Sequence, residues 1–395
     1  MPECNSFALE LGMRILLLSS ALRKEFGGPP TVVVGASTSL ADLGNEITVM
    51  VFGQTSSSVL ENEGFYSKLE EHNVKTIVAH ARRTSIYGGI GNLSDFGKLY
   101  AEVKKADVIS THQVYNFQNI LIFILLLMLN KPIVLMPHGT LTKYQSKIHR
   151  FRKLFVDLYF RNILIWHADA VMVATEVEKS ELSTKLQKKT HVVGVGLQPI
   201  DSTNNSLRVS SGASKFLFLG RIAPVKRLDI AIEAFAHFVQ QAGNDYKLIV
   251  CGTGDPKYVD SMERLACELG VSKQVEFRGW VDSIEKAQVL RECSWLLLTS
   301  ENENFAVVVA ESLMHGMPCV VSKNVALSVL VSEHSAGEVF QNLEPVEISE
   351  AMRRVTTGNQ SELQKAALSA AQDLSWDRVV LNWSEVLANI LAQKS

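Results

Sequence analysis

The chain has 395 residues, 47% of them hydrophobic and 20% charged, and its 39 basic and 41 acidic side chains leave a formal net charge of −2. The length predicts two or three domains with sizeable cores, and the apolar content argues against a disordered protein. The balanced charge argues against a dedicated nucleic-acid-binding protein.

The cysteines and the apolar segments argue against further classes of protein. The five cysteines are widely scattered, with no C-x-x-C pair, so neither a disulfide framework nor a zinc site is predicted and a reducing compartment is favoured. The apolar run at 120–129 is shorter than the roughly 20 residues that a membrane-spanning helix needs, and we interpret it as a buried helix. The apolar stretch at 13–18 precedes charged residues instead of a cleavage site, which favours a first strand over a signal peptide.

Short β-rich apolar runs alternate with helical patterns along the whole chain, which is typical of parallel sheets covered by helices. The predicted fold class is therefore α/β. In the first half, strands are predicted at 15–19, 46–51, 76–79, 108–111, 133–136 and 170–174. In the second half, they are predicted at 216–220, 247–251, 275–278, 295–299 and 319–322. The intervening segment 199–214 is rich in Ser and Asn, as linkers are, and places the domain boundary near 200–213.

Polar or glycine-containing turns follow four of the strands predicted in the second half. Ligands of open parallel sheets bind outside the carboxyl ends of the strands, so we expect a ligand site at this edge. In chain order, the turns contain Arg221 and Lys226, then Gly252 and Gly254, then Gly279, and finally the segment 300–304.

The first two turns each have two interpretations. Arg221 and Lys226 precede a helix predicted at 228–238, where a planar guanidinium and a point charge suit a diphosphate. A solvated helix start is the alternative, and the sequence leaves both open. Gly252-Thr-Gly254 permits close backbone approach to a phosphate or base, but this short pattern alone is more typical of a tight strand-to-helix turn.

The segment 300–318 carries the most specific pattern. Asn304 is a predicted N-cap and Gly316 a predicted C-cap, which places Glu303 at the start of a helix and Glu311 about two turns inside it. The helix is otherwise apolar, so a buried Glu311 needs either ligand hydroxyls or a basic partner such as a buried Arg. Free N–H groups at the helix start favour an anionic ligand group such as a nucleotide phosphate.

These residues resemble the retaining nucleotide-sugar glycosyltransferases of family 4, which have the GT-B fold of two facing Rossmann-like domains with parallel sheets and a cleft between them. The resemblance covers most of the chain. Its most specific element is the pair Glu303 and Glu311, which is similar to the family's E-x7-E motif. Further similarities are Gly220-Arg221 with Lys226 as the donor-phosphate pair, Gly27-Gly28 as the N-terminal glycine loop, His138 in the histidine loop and Ser375-Trp376 at the start of the C-terminal helices.

The resemblance implies a division of the chain into three parts. An acceptor-side Rossmann-like domain is expected at 1–200 and a nucleotide-sugar-binding domain at 201–374. C-terminal helices are expected at 375–395, closing back toward the N-terminal domain.

The resemblance also implies roles for individual residues. Arg221 and Lys226 would neutralise the diphosphate and stabilise the leaving nucleotide, which is an electrostatic role. Glu311 would hydrogen-bond the ribose, and Glu303 the hydroxyls of the transferred sugar. His138 would contact that sugar from the N-terminal domain, whereas the residues alone also allow a histidine packed beneath a turn. The remaining implied donor-binding residues are Gly27, Gly28, Gly252, Gly254, Gly279, Asn304, Phe305, Ala306 and Val307.

One residue departs from the family's usual pattern in the predicted sugar-binding loop. Ala306 stands where the family most often has Gly, which suggests a loop shaped for a particular sugar.

The chain has no D-x-D motif, so neither a metal nor another cofactor is expected, and the nucleotide sugar is a substrate. The family is thought to retain configuration through a front-face step in which the departing phosphate assists acceptor deprotonation, unlike the two-carboxylate glycosidases. His112 and the other histidines show no metal-like grouping and are assigned no chemistry.

The acceptor side is less defined by the sequence. Residues 143–163 predict a basic amphipathic helix, which suits either peripheral contact with an anionic membrane or an ordinary solvated face. From the family and this helix we expect a glycan or polyprenyl-linked acceptor in cell-surface polysaccharide or glycolipid synthesis. The expected location is cytoplasmic, at the inner face of the membrane if that contact occurs.

The sequence leaves three alternative functions open. A GT-B enzyme with a soluble acceptor, of the sucrose- or trehalose-synthase type, and a sugar-nucleotide epimerase are the nearest. A non-catalytic Rossmann-type binding protein is more remote, because all the motif residues are present. A nicotinamide-dependent oxidoreductase is disfavoured, because Gly252-Thr-Gly254 lacks the third glycine of the dinucleotide fingerprint.

Overall fold

The computed structural model describes residues 12–20, 22–23, 28–54, 59, 62–80, 93–112, 125–126, 128–141, 166–197, 214–303 and 305–394. The chain divides into two compact units. The N-terminal unit comprises Met1–Gln198 together with Trp376–Ser395, and the C-terminal unit comprises Pro199–Ser375. The basic helix predicted at 143–163 lies outside the described residues, as does nearly all of the predicted linker.

The N-terminal unit is built on a parallel sheet. Its described strands are β1 (Arg14–Ser20), β2 (Glu46–Gln54), β3 (Lys75–His80), β4 (Val108–His112), β5 (Ile133–Met136), β6 (Ala170–Val173) and β7 (Thr190–Val192), in the order β3-β2-β1-β4-β5-β6-β7. The accompanying helices are α1 (Gly28–Asp42), α2 (Glu63–Glu71), α3 (Leu93–Lys105), α4 (Glu176–Glu181) and α5 (Thr184–Gln187). The central strands β4, β5 and β6 are buried along their whole length, as expected of a parallel sheet covered on both faces.

The C-terminal unit repeats this architecture with a second parallel sheet. Its strands are β8 (Ser214–Leu219), β9 (Tyr246–Cys251), β10 (Val275–Gly279), β11 (Trp295–Leu298), β12 (Cys319–Ser322) and β13 (Gly337–Phe340), in the order β10-β9-β8-β11-β12-β13. Its helices are α6 (Leu228–Ala242), α7 (Pro256–Glu268), α8 (Ser283–Glu292), α9 (Val307–Met314), α10 (Ser328–Glu333), α11 (Pro345–Thr357) and α12 (Gln360–Gln372).

Helix caps and aromatic packing explain why the C-terminal unit folds as it does. The Asp255 carboxylate accepts N–H groups at the start of α7, and Asp282 forms a capping box with Glu285 at the start of α8. Phe216 of β8 packs edge to face against Phe238 of α6, with ring centroids 5.5 Å apart. Both rings are buried, and each contributes roughly 1.5–3 kcal/mol of burial free energy.

The last helix, α13 (Trp376–Lys394), belongs to the N-terminal unit. Its first residue, Trp376, fills the space beside two glycines, since an added Cβ at Gly35 or Gly196 would lie 2.1 or 2.4 Å from the indole ring. The Trp383 indole N–H donates to the carbonyl of Gly194 over 3.3 Å. The end of the chain is thereby held to α1 and to the segment that follows β7.

The structure confirms the predicted α/β class with two parallel Rossmann-like sheets. All the strands predicted from the sequence are present, with ends shifted by three residues at most. Two strands were missed, β7 and β13, which are three and four residues long and lie at the edges of their sheets. Within the described ranges, no helix combines the length and the apolar character needed to cross a bilayer.

Candidate active site

The C-terminal sheet reverses its strand order between β8 and β11, which are neighbours although two strands separate them in sequence. Ligands of such sheets bind outside the carboxyl ends of the strands at this switch point. The two segments that leave β8 and β11 are joined there by hydrogen bonds. The Thr299 hydroxyl donates to the carbonyls of Lys226 and Arg227 over 3.1 and 2.8 Å, and the Glu301 N–H donates to the carbonyl of Val225 over 2.9 Å.

The Lys226 ammonium and the Glu303 carboxylate form an ion pair at the switch point. Their side chains are only 19% and 15% exposed, and the Ser300 hydroxyl donates to the same carboxylate over 3.1 Å. Burial, reinforced by the positive charge of Arg221, lowers the pKa of Lys226 to about 8. The structure thus brings together the predicted phosphate-binding lysine and the predicted sugar-binding carboxylate.

Arg221 lies close to this pair but is exposed to solvent. The backbone fixes its position, because the next residue, Ile222, donates its N–H to the carbonyl of Thr253 over 2.8 Å. The predicted helix start after Lys226 is confirmed, since α6 begins at Leu228. An exposed guanidinium and a largely buried ammonium therefore lie near each other at this edge of the sheet.

The helix that carries Glu311 starts later than the sequence predicted. It begins at Val307, and Ala306 occupies the N-cap position in the left-handed conformation, with φ 62° and ψ 67°. The prediction of Asn304 as the N-cap is therefore wrong, and Asn304 itself lies outside the described residues. Glu311 is the fifth residue of α9, little more than one turn inside it. At the other end, Gly316 has φ 63° and follows the cap residue His315.

The sequence predicted that Glu311 needs either ligand hydroxyls or a basic partner, and the structure shows a basic partner. Lys286 of α8 donates to the Glu311 carboxylate over 2.6 Å, and the two side chains are 36% and 23% exposed. The partner is a lysine near the surface and not the buried arginine considered from the sequence. Phe305 and Val307, on either side of Ala306, are half-buried.

Two glycines of the predicted donor site lie where a larger residue would not fit. A Cβ at Gly252 would lie 1.8 Å from the carbonyl oxygen of Gly220, and one at Gly254 would lie 1.9 Å from that of Ile222. Both glycines thus allow the exits of β8 and β9 to approach, which supports the tight-turn interpretation. Gly279 has φ 69° at the end of β10. In the N-terminal unit, Gly28 is the first residue of α1, and Gly27 lies outside the described residues.

The N-terminal sheet also reverses its order, with β1 beside β4, and histidines lie at the neighbouring strand ends. His112 is the last residue of β4, and His138 follows β5, with the register placing His112 opposite Met136. Nδ1 of His112 lies 2.9 Å from Nε2 of His138. Burial lowers the pKa of His138 to about 4 and places that of His112 well below its ordinary value, so both rings are neutral at pH 7.

The turn that carries His138 is held by a buried carboxylate. Glu178 of α4 accepts the N–H of Gly139 over 2.6 Å and that of Ala174 over 3.1 Å. Burial raises the pKa of Glu178, against the opposing effect of these two hydrogen bonds. The turn contains two successive left-handed residues, His138 with φ 48° and Gly139 with φ 75°.

Three residues at these sites were missed from the sequence: His112, Glu178 and Lys286. His112 had been assigned no chemistry. A signal for it was available, since β4 and β5 were both predicted and adjacent parallel strands bring their carboxyl ends together. Lys286 and Glu178 had no comparable signal, because their partners depend on how a helix packs on its sheet.

Comparisons with known proteins agree with this architecture. The model described as Glycosyltransferase Family 4 matches residues 26–199, and the model described as Glycosyl transferases group 1 matches residues 200–373. An uncharacterized glycosyltransferase of Methanocaldococcus jannaschii is 24% identical over 81% of this chain and 87% of its own length. A D-inositol 3-phosphate glycosyltransferase of Streptomyces bingchenggensis is 27% identical over 58% of this chain, and the match spans only 54% of that enzyme.

Solved structures give the same result for the fold. The structure of Anabaena HepE in complex with UDP and glucose aligns with a TM-score of 0.68 at 19% identity, over 95% of this chain and 99% of that one. Together, the two family models match the chain from residue 26 to residue 373, which includes every candidate site residue named above. The chain therefore belongs to the family 4 glycosyltransferases and has the GT-B fold.

Proposed function

We propose that the protein transfers a hexosyl unit from a nucleoside-diphosphate sugar to a glycan or lipid-linked acceptor, with retention of anomeric configuration and without a metal ion. The observation that carries this proposal is the Lys226–Glu303 ion pair at the switch point of the C-terminal sheet. It joins the family's donor-phosphate position to its sugar position, with Arg221 nearby. Because HepE is solved with UDP and glucose, UDP-glucose is the first donor to test.

In the proposed reaction the donor replaces this ion pair. The diphosphate takes Lys226 and Arg221 as its cationic partners, and Glu303 turns to the hydroxyls of the sugar. As the sugar–phosphate bond breaks, negative charge grows on the diphosphate, and the two cations stabilise it. His138 contacts the sugar as a neutral ring, so it adds no positive charge near the anomeric carbon.

The nucleoside is proposed to bind further along the same edge. Glu311 accepts hydrogen bonds from the ribose hydroxyls, and its bond to Lys286 orients the carboxylate. The segment after Gly279 flanks the base. The N–H groups around Phe305, Ala306 and Val307 complete the sugar pocket, together with Asn304 and, from the N-terminal unit, Gly27 and Gly28.

A transfer assay tests the proposal directly. The purified protein is incubated with UDP-glucose and a membrane lipid extract, with and without EDTA, and the product is analysed by NMR for its anomeric configuration. A sugar attached in the donor's own configuration, in a yield that EDTA does not change, is expected. Inverted product or loss of activity in EDTA would contradict the retaining or the metal-independent part of the proposal.

The acceptor has a second candidate. Relatives named D-inositol 3-phosphate glycosyltransferase match over 45–58% of this chain, which favours a small soluble acceptor. Inositol 3-phosphate added in place of the lipid extract separates the two. Formation of a water-soluble glycoside would favour the soluble acceptor, and product that partitions into organic solvent would favour the lipid-linked one.

A further inference from the structure

A second histidine, His112, contacts the ring of His138. Nδ1 of His112 and Nε2 of His138 are 2.9 Å apart, and the ring centroids are 5.1 Å apart at an interplanar angle of 29°. His112 is only 2% exposed. Its other nitrogen, Nε2, lies 3.4 Å from the Ser110 hydroxyl, which is a weak contact. The bond to His138 is therefore the main polar interaction that the described residues offer to this buried ring.

Because the rings of His112 and His138 are both neutral, the positions of their N–H protons depend on each other. A neutral imidazole has one N–H donor and one acceptor nitrogen, so the shared bond contains a single proton. Whichever ring donates, the position of the proton on His112 determines the position of the proton on His138. Among the described residues, Nδ1 of His138 has no hydrogen-bond partner, and this is the nitrogen left for a ligand.

The surroundings fix His112 more firmly than His138. The indole of Trp383 stacks on His112 with centroids 6.1 Å apart and an interplanar angle of 22°, and its own N–H is bonded to Gly194. Glu178 holds the turn of His138 only through the backbone of Gly139. The backbone of the turn is thus supported separately, and among these contacts only His112 touches the polar atoms of the His138 ring.

We propose that His112 is a positioning residue for His138: it fixes the ring orientation and selects a single neutral tautomer, so that Nδ1 meets the transferred sugar in one hydrogen-bonding state. Its effect on transfer rests on the proposed function, whereas the tautomer is a property of the free protein. Without His112, the His138 ring could rotate and exchange its proton between the two nitrogens. A smaller fraction of molecules would then be competent for transfer.

The experiment compares two substitutions of His112. Phe keeps a flat ring against Trp383 but has no nitrogen, whereas Asn keeps a polar group near the position of Nδ1. His112→Phe is expected to lower kcat by about 10-fold with little change in the KM for the donor, and His112→Asn to recover part of that loss. Ser110→Ala, which removes only the weak contact, is the matched control and should change kcat by less than about 2-fold.

Ring ¹⁵N chemical shifts provide a test that needs no activity. In the wild-type protein labelled at histidine, the proposal predicts that one His138 nitrogen is protonated and the other unprotonated at pH 7. Averaged shifts that indicate mixed tautomers in the wild type would overturn it. So would an unchanged kcat in a His112→Phe variant that melts like the wild type. If no donor supports any transfer, the proposed function fails, and the ¹⁵N result still decides the coupling of the two rings.

Discussion

The two sheets present different chemistry at equivalent edges. In the N-terminal unit, the polar groups beyond β4 and β5 are a neutral histidine pair and a buried carboxylate bonded to backbone N–H groups. In the C-terminal unit, the groups beyond β8, β10 and β11 are charged, as in Lys226–Glu303 and Lys286–Glu311. Under the proposed function, the N-terminal edge positions the His138 ring, and the Lys226–Glu303 ion pair of the C-terminal edge opens to bind the donor.

The difference follows from solvent access and charge. The carboxylates and ammonium groups of these two pairs are 15–36% exposed, so a charged ligand can replace one partner without leaving a buried charge alone. The histidine pair has no such freedom, since separating the rings leaves a buried polar atom of His112 unsatisfied. We therefore expect substitutions at the C-terminal edge to change ligand affinity, and substitutions at the N-terminal edge to change turnover.

The largest effect is expected on UDP affinity, when the two cations Arg221 and Lys226 are removed. An Arg221→Ala, Lys226→Ala double variant should bind UDP at least about 100-fold more weakly, because each charge-assisted bond contributes about tenfold or more to affinity. Isothermal titration calorimetry measures this. An Arg264→Ala, Lys273→Ala variant removes the same charge from exposed positions and should bind UDP as the wild type does. Equal affinity in both variants would rule out the diphosphate site.

The charge on Lys226 should also make UDP binding depend on pH. Below its pKa of about 8 the lysine is protonated, and as the pH rises through 8 it loses the charge that attracts the diphosphate. UDP affinity should therefore fall by about tenfold between pH 7 and pH 9. In Lys226→Arg the side chain stays charged, and the fall should disappear. A similar pH dependence in both proteins would assign it to another group.

A smaller effect is expected at Glu311. Glu311→Gln should weaken UDP binding by roughly 10-fold, since a neutral amide replaces a carboxylate that accepts ribose hydroxyls. Binding of 2′,3′-dideoxyuridine diphosphate should be equally weak in the wild type and the variant, because this ligand lacks both hydroxyls. If the substitution lowers the affinities for both nucleotides by the same factor, Glu311 does not contact the ribose.

The smallest effect concerns the backbone, where each edge contains a non-glycine residue in the left-handed region, His138 and Ala306. This conformation costs an alanine about 1 kcal/mol or more. Ala306→Gly should therefore raise the free energy of unfolding by about 0.5–1 kcal/mol in chemical denaturation. Ala310→Gly, inside the same helix, should lower it by about 1 kcal/mol. Destabilisation by both substitutions would show that Ala306 is not strained.

Local sequence patterns were sufficient for most of the fold. Strands β5 and β12 are short, largely apolar runs that each follow a proline, and their predicted limits agree with the structure. The edge strands β7 and β13 were missed because each is short and contains polar residues. The start of α9 was misplaced because Asn304 is a typical N-cap, whereas the backbone enters the helix through a left-handed Ala306.

The candidate site could be predicted only as a set of residues. The sequence pattern and the family resemblance indicated Lys226, Glu303, Glu311 and His138, but not their partners. The ion pairs join residues 77 and 25 positions apart, and the histidine pair joins residues 26 apart. Such contacts depend on sheet register and helix packing, which a local pattern does not contain. His112 is the clearest example, because its role follows from its distance to His138 and not from its neighbours in sequence.

Thermal unfolding of the purified protein with UDP, GDP, ADP or NAD, each with and without EDTA, tests whether the C-terminal unit binds a nucleoside diphosphate through Arg221 and Lys226. A nucleotide at about 100 times its dissociation constant should stabilise the protein by roughly 2.7 kcal/mol. One nucleoside diphosphate is expected to raise the melting temperature, EDTA should not change the rise, and the Arg221→Ala, Lys226→Ala variant should lose it. Stabilisation by NAD alone, or by none of the four, would contradict a nucleotide-sugar site in the C-terminal unit.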